Sequence, residues 1–512
     1  MRELIKQANV VDEPGLEAFL DKMESAYVDK AVEMAKKGYE RLLTKKTDPA
    51  LQQLQLEMAS VLQEPKLLEL VEEFIDEVES PRLRRRLTVW KRMIFDKLLT
   101  GDPALMKQGQ ELSDAIMAYP YPLPNNPEGT IADVRHILRT EPDREIRRQA
   151  WACTEPLAIE LKDKMLDFHA QRNQRAKQLG WANCADFILD QQGTGLKRAR
   201  TLLETLYRET EDEYRTLLEE RAERFGIQEI EPWDTQFLLD GGIDIPEEFF
   251  PREGITQRLQ QFSEQHGIPM DKLGIRPEYF DIPWNGVCFT VNHPKDVRIV
   301  CNPRDGYVYY RVMFHELGHG LHTVLNEQSE PVFWHEPSPS AEGIAETFAY
   351  FTREPQWLME LGIPEARVGK VLRALLAPWF FYLRQRGALG LFGFDIYESP
   401  DQDLDELLGQ IESRITLCRA DATPRWTANA WFVGGATWHN YVVADMVASQ
   451  LHQGMRQHAG PVWANKEAIE FLRERYLAVG DAVSWTDKVK DISGSDLDVK
   501  ALIADVKEMA RV

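Results

Sequence analysis

Apolar residues recur at spacings of three and four between charges over residues 16–43, 51–62 and 64–99, the period of helices with one buried face. Thr47-Asp48-Pro49 and Thr100-Gly101-Asp102-Pro103 punctuate these runs with helix-start and breaker residues. Residues 119–129 carry three prolines at alternate positions and a fourth shortly after, which excludes helix and predicts a linker or a rigid surface loop. Residues 143–180 and 195–225 then read as a long helical hairpin. Strand character is confined to residues 287–308: Val287-Cys288-Phe289-Thr290-Val291 and Val297-Arg298-Ile299-Val300-Cys301 are β-prone runs joined by a plausible turn at 292–296. From Tyr307 onward the pattern is helical again. The expected fold is mostly α with one small antiparallel sheet.

A length of 512 residues permits roughly one to four domains. The expected division is an N-terminal helical region at 1–120, part of the same lobe or a lid, followed by a catalytic domain at 130–512. Lys+Arg of 61 against Asp+Glu of 83 leaves a net charge of −22, which argues against nucleic acid or an anionic membrane as partner. No signal-peptide pattern opens the chain, and nowhere do about 18 apolar residues run together. The five cysteines are scattered and fit no zinc-knuckle or disulfide framework. Free buried thiols in a reducing cytoplasm are expected, although Cys288 and Cys301 flank the predicted hairpin and could lie near each other.

The candidate chemistry sits on the helix predicted over 307–325. His315 and His319 are four residues apart, which places both imidazoles on one helical face, one turn apart, where they can grip one zinc ion. Glu316 projects beside them as a general base for a metal-activated water. Five-residue His-Glu-x-x-His patterns arise by chance, but here Val312-Met313-Phe314 supply a buried face and Gly318 and Gly320 leave room for close packing. A catalytic zinc needs a third protein ligand. A third histidine on the same run is excluded, because His322 and Leu325 stand where glycine and histidine would be required. The favoured ligand is Glu342, in a run expected to be helical and capped by Ser340, with Glu346 one turn on to accept a hydrogen bond from a ligand histidine. Glu336 is the competing carboxylate.

Taken together, these segments resemble the glutamate-zincin peptidases of the angiotensin-converting-enzyme and thimet oligopeptidase/oligoendopeptidase F group. His315-Glu316-Leu317-Gly318-His319-Gly320-Leu321-His322 resembles the oligopeptidase form of the zinc helix, and Glu342-Gly343-Ile344-Ala345-Glu346 is similar to the converting-enzyme third-ligand helix. Pro232-Trp233-Asp234 is similar to an oligopeptidase motif. Residues 280–365 carry the likeness, with weaker support from 140–235 and 425–452 and none from the first 120. The resemblance implies an elongated, two-lobed helical body with a deep channel, one zinc per chain, and cleavage of short unstructured peptides. It implies that Tyr441 donates a hydrogen bond to the oxyanion, and that Trp438 and His439 belong to the substrate-binding region. Val297 and Ile299 are expected on an edge strand that binds an extended peptide through its backbone. Departures are present: Phe289, Trp431 and Trp438 replace two histidines and a tyrosine that contact substrate in the converting-enzyme pattern, and Asn429 replaces a lysine. An endo-acting oligopeptidase is therefore expected over a dipeptidyl carboxypeptidase or carboxypeptidase. A helical binding protein with a structural zinc is the remaining alternative, disfavoured because such a site has no use for Glu316.

Overall fold

The computed structural model describes residues 1–511 apart from 45, 47, 125, 242–244, 246, 281 and 283. Thr47 and Asn125, both in punctuating segments named above, lie outside the described residues. Helices dominate, and they break where proline or a capping side chain forces them to. Asp48 caps Pro49–Leu62 by accepting from the Ala50 amide. The stretch 64–99 is two helices, Pro65–Ile75 and Pro81–Thr100: Pro81 has no N–H to give a preceding turn, and Ser80 caps the new helix through the Leu83 amide. The stretch 143–180 likewise divides into Arg144–Ala152 and Glu155–Gln178, and 195–225 divides at Thr210. No described helix is long and apolar enough to cross a membrane.

The chain forms two compact units, each assembled from separated stretches. One comprises Met1–Pro103, Pro246–Gly362 and Val447–Leu497; the other comprises Ala104–Ile245, Ile363–Met446 and Asp498–Val512. The expected boundary near residues 120–130 is therefore not followed, and residues 1–103 belong with the histidine helix. The reason is apolar burial. Leu16, Leu20, Met23, Val71, Leu87 and Trp90 of the N-terminal helices pack in one core with Phe333, which follows the histidine helix in sequence.

The first unit also holds the sheet that backs the site. Numbering strands along the chain, β1 (Tyr121–Leu123) and β2 (Asn126–Gly129) form a small hairpin in the other unit, while β3 (Ile275–Tyr279), β4 (Gly286–Asn292) and β5 (Asp296–Cys301) form the sheet here. β4 and β5 pair antiparallel, as the turn between them predicts, but β3 adds in parallel on the other side of β5. The sheet is thus mixed, and β5 is its central strand. The long helix Glu13–Thr44 packs Tyr39 among Val291 and Val300 in a small apolar cluster beside the sheet.

In the second unit the 34-residue helix Glu365–Glu398 is the central element. Asp234, fully buried, accepts from Arg144 and Arg147 and ties the helix Pro232–Leu239 to Arg144–Ala152. Within the proline-rich stretch, Tyr121–Leu123 and Asn126–Gly129 pair antiparallel, with Tyr121 and Leu123 buried, where a linker or a rigid surface loop was expected.

Candidate metal centre

The helix Tyr307–Val324 forms because Tyr307, Tyr310, Met313, Phe314, Leu317 and Leu321 supply a continuous buried stripe. That stripe leaves His315 and His319 on another face, their ring centroids 4.9 Å apart. The helix Ser338–Tyr350 brings Glu342 against them. Its Oε2 lies 3.4 Å from His315 Nε2 and 3.9 Å from His319 Nε2. Among the described residues these three ligand atoms all lie within 4.8 Å of one another. A tetrahedral ion about 2.0–2.1 Å from each donor would hold the donors about 3.3 Å apart. The observed spacing fits an ion, and Glu342 Oε2 is buried with no hydrogen-bond partner, as an atom kept for a metal would be.

The groups around this triad fix its orientation. Glu346, 1% exposed, places Oε1 3.2 Å from His315 Nδ1. A proton on Nδ1 directed at Glu346 leaves Nε2 with its lone pair toward Glu342. The other Glu346 oxygen takes the guanidinium of Arg311, one turn before His315. Glu316 is 6% exposed and bonded by the Cys288 amide of β4. Gly286 makes room for it, since a Cβ there would meet Glu316 Oε1 at 2.9 Å. Burial pushes the Glu316 carboxyl up to about 7 against the pull of His315, a range suited to exchanging a proton near neutrality. Burial pushes His319 down to about 4. On His315 burial acts in the same sense, but the facing carboxylates of Glu342 and Glu346 prevail and raise it to about 10. Without an ion, a proton on His315 offsets part of the charge of these two carboxylates.

Glu336, the competing carboxylate, is engaged elsewhere. Its side chain is 0% exposed and accepts from His322 Nε2 at 2.8 Å, from Lys488 and from Ser340. Ser340 does not cap its helix, because the helix begins two residues earlier with Pro337 at the N-cap. His322 consequently faces Glu336 and not the triad. The five cysteines are free, and burial pushes Cys301 up to about 12.

Three expected substrate contacts are corrected. Val297 and Ile299 are fully buried on the central strand, where their backbone faces a sheet partner on each side, β3 and β4. Among the described residues β3 and β4 are the edge strands of this sheet, and β4 is the one that meets Glu316. His439 is fully buried in the second unit, its Nε2 3.0 Å from Gln192 Oε1 and its backbone against Gly390. Tyr441, near the start of the helix His439–Ala459, packs against Trp431 and Trp438, with ring centroids 5.6 and 6.4 Å away. Arg386 lies 4.6 Å over its ring. Trp431 is 41% exposed. Arg311, Lys488 and Arg386 escaped the sequence reading. The four-residue spacing of Arg311 from His315 was a usable signal, whereas Lys488 carried none.

No protein-family model matches the sequence, and no curated protein matches it. Among solved structures the chain is similar to one described as PZ peptidase A with inhibitor 2, with a TM-score of 0.74 over 99% of this chain and 94% of that one. At 15% sequence identity, what the two chains share is the fold.

Proposed function

We propose that this protein is a zinc-dependent oligopeptidase that hydrolyses peptide bonds in short unstructured peptides. The observation that carries the reading is the convergence of His315, His319 and Glu342 beside a buried carboxylate, Glu316, that makes no ion pair with a lysine or arginine among the described residues. The fold likeness to a peptidase and the sequence resemblance to glutamate-zincins support it. Zinc bound by the three ligands would polarise the scissile carbonyl and acidify a water. Glu316 takes the proton of the attacking water on its carboxylate and passes it to the leaving amine. The Cys288 amide holds Glu316 in place, and Glu346 with Arg311 holds His315. β4, paired on one side only, offers its backbone to an extended peptide beside Glu316. Tyr441 donates to the carbonyl oxygen as it gains charge, an assignment that rests on the resemblance of residues 431–445.

An internal peptide bond is the favoured target. Release of C-terminal dipeptides needs a group that binds the terminal carboxylate, and the two candidates near Asn429 and Trp438 in sequence are committed elsewhere. Arg425 pairs with Glu155 at 3.0 Å and bonds Thr154 and Thr423. His439 is buried.

Metal analysis, a chelator and Glu316→Gln test the reading together. About one zinc per chain is expected, with cleavage of a quenched peptide lost on chelation while the helical circular dichroism persists. Glu316→Gln should keep the zinc and lose about 10²–10⁴-fold in turnover. An active preparation without stoichiometric metal would falsify the zinc assignment.

A further inference from the structure

Glu336 has no part in the chemistry just described, yet three side chains bond its carboxylate. Its side chain and that of Lys488 are 0% and 1% exposed, and taking such a pair out of water is costly unless every donor and acceptor is met. Here they are met. Oε1 of Glu336 accepts from Lys488 Nζ at 2.5 Å and from His322 Nε2 at 2.8 Å. Oε2 accepts from Ser340 Oγ, which also lies 2.7 Å from the Tyr476 hydroxyl. Lys488 spends its other protons on the carbonyls of Tyr476 and Gly480, at 3.3 and 3.1 Å.

Three helices therefore meet at one carboxylate, and two of them carry the metal ligands. His322 follows His319 by three residues on the same helix. Ser340 precedes Glu342 by two residues at the start of the other. The two helices are also joined at Gly318, which lies against Ala345, and at His315, which lies against Glu346. Ser340 Oγ, in the first turn of the Glu342 helix, is bonded to Glu336.

We infer that Glu336 is a positioning residue for the metal site: together with His322, Ser340 and Lys488 it fixes the start of the Ser338–Tyr350 helix so that Glu342 faces the two histidines. This rests on the metal-binding part of the proposed function. It gives a reason for keeping a buried ion pair where apolar packing would cost less, because a carboxylate can bond two helices at once with defined direction and an apolar side chain cannot.

The test measures zinc affinity by competition with a chromogenic chelator, with circular dichroism as the check on folding. Glu336→Gln should weaken zinc about 10–100-fold, as for other groups that orient ligands, and it leaves Lys488 buried without its counter-charge, so it can fail to fold. The double variant Glu336→Leu/Lys488→Met removes both charges together. It should fold, and its zinc affinity should stay at least about tenfold below wild type, because His322 and Ser340 have still lost their acceptor. Wild-type affinity in that folded double variant would overturn the inference and leave the cluster a matter of stability alone. A wild-type protein that binds no metal would overturn the proposed function and this inference with it. Metal binding without peptide cleavage would remove the first and leave the second standing.

Discussion

Gly318 of the histidine helix lies against Ala345 of the Glu342 helix so closely that a Cβ at position 318 would come within 2.7 Å of the Ala345 Cα. The obstructing atoms are backbone: the carbonyl oxygens of Ile344 and Ala345 would lie at 3.0 and 3.2 Å. Neither can swing aside as a side chain would, so a methyl group here must push the helices apart.

Gly318→Ala should therefore lower stability by about 1–3 kcal/mol, the usual range for overpacking, and weaken zinc because the two ligand-bearing helices separate. Urea denaturation with and without chelator measures both effects. An unchanged midpoint would show that the helices slide freely at this contact.

Tyr441→Phe retains the ring that Arg386, Trp431 and Trp438 pack against and removes only the hydroxyl. Turnover should fall about 10²–10³-fold, the loss typical of one oxyanion donor, with KM little changed. Steady-state kinetics on a single peptide decides it. A rise in KM at constant turnover would make Tyr441 a binding residue.

The commitment of Arg425 to Glu155 and the burial of His439 predict tolerance of a blocked C-terminus. One peptide prepared as free acid and as C-terminal amide should give kcat/KM values within about tenfold of each other. A hundredfold loss on amidation, about 2.7 kcal/mol of transition-state binding, would instead reveal a carboxylate anchor and an exopeptidase.

Acid should destabilise the first unit through His266, which is 1% exposed. Its Nε2 accepts from the Ala464 amide at 2.9 Å and its Nδ1 lies 2.8 Å from the Phe262 carbonyl oxygen, an arrangement that needs the neutral ring with its proton on Nδ1. Burial pushes its pKa down to about 4, below an unfolded value of about 6.5. The unfolded chain thus takes the proton first, so the contribution is whole above about pH 6.5 and is lost as pH falls toward about 4. Between pH 7 and 5 this group alone should cost about 2 kcal/mol. Denaturation of wild type and His266→Leu at both pH values isolates it. The variant should be weaker at pH 7 but lose less on acidification, and parallel losses would mean that the ring already carries its proton.

Local geometry made much of this protein legible in its sequence. Helical spacing alone puts His315 and His319 on one face, Glu316 beside them, and Glu346 one turn beyond Glu342, because each relation is set within a few residues by the backbone. The helical fold class and the β4–β5 hairpin were readable for the same reason. Which strand is central was not, since β3 joins β5 from a separate stretch and pairing partners are chosen by long-range packing. That choice is what buried Val297 and Ile299. The choice between Glu342 and Glu336 was likewise tertiary: both carboxylates follow the histidines by similar distances in sequence, but Lys488, 152 residues after Glu336, neutralises it, and His322 and Ser340 fill its remaining acceptor positions. Among the described residues no lysine or arginine pairs with Glu342, and its oxygen remains turned toward the two histidines.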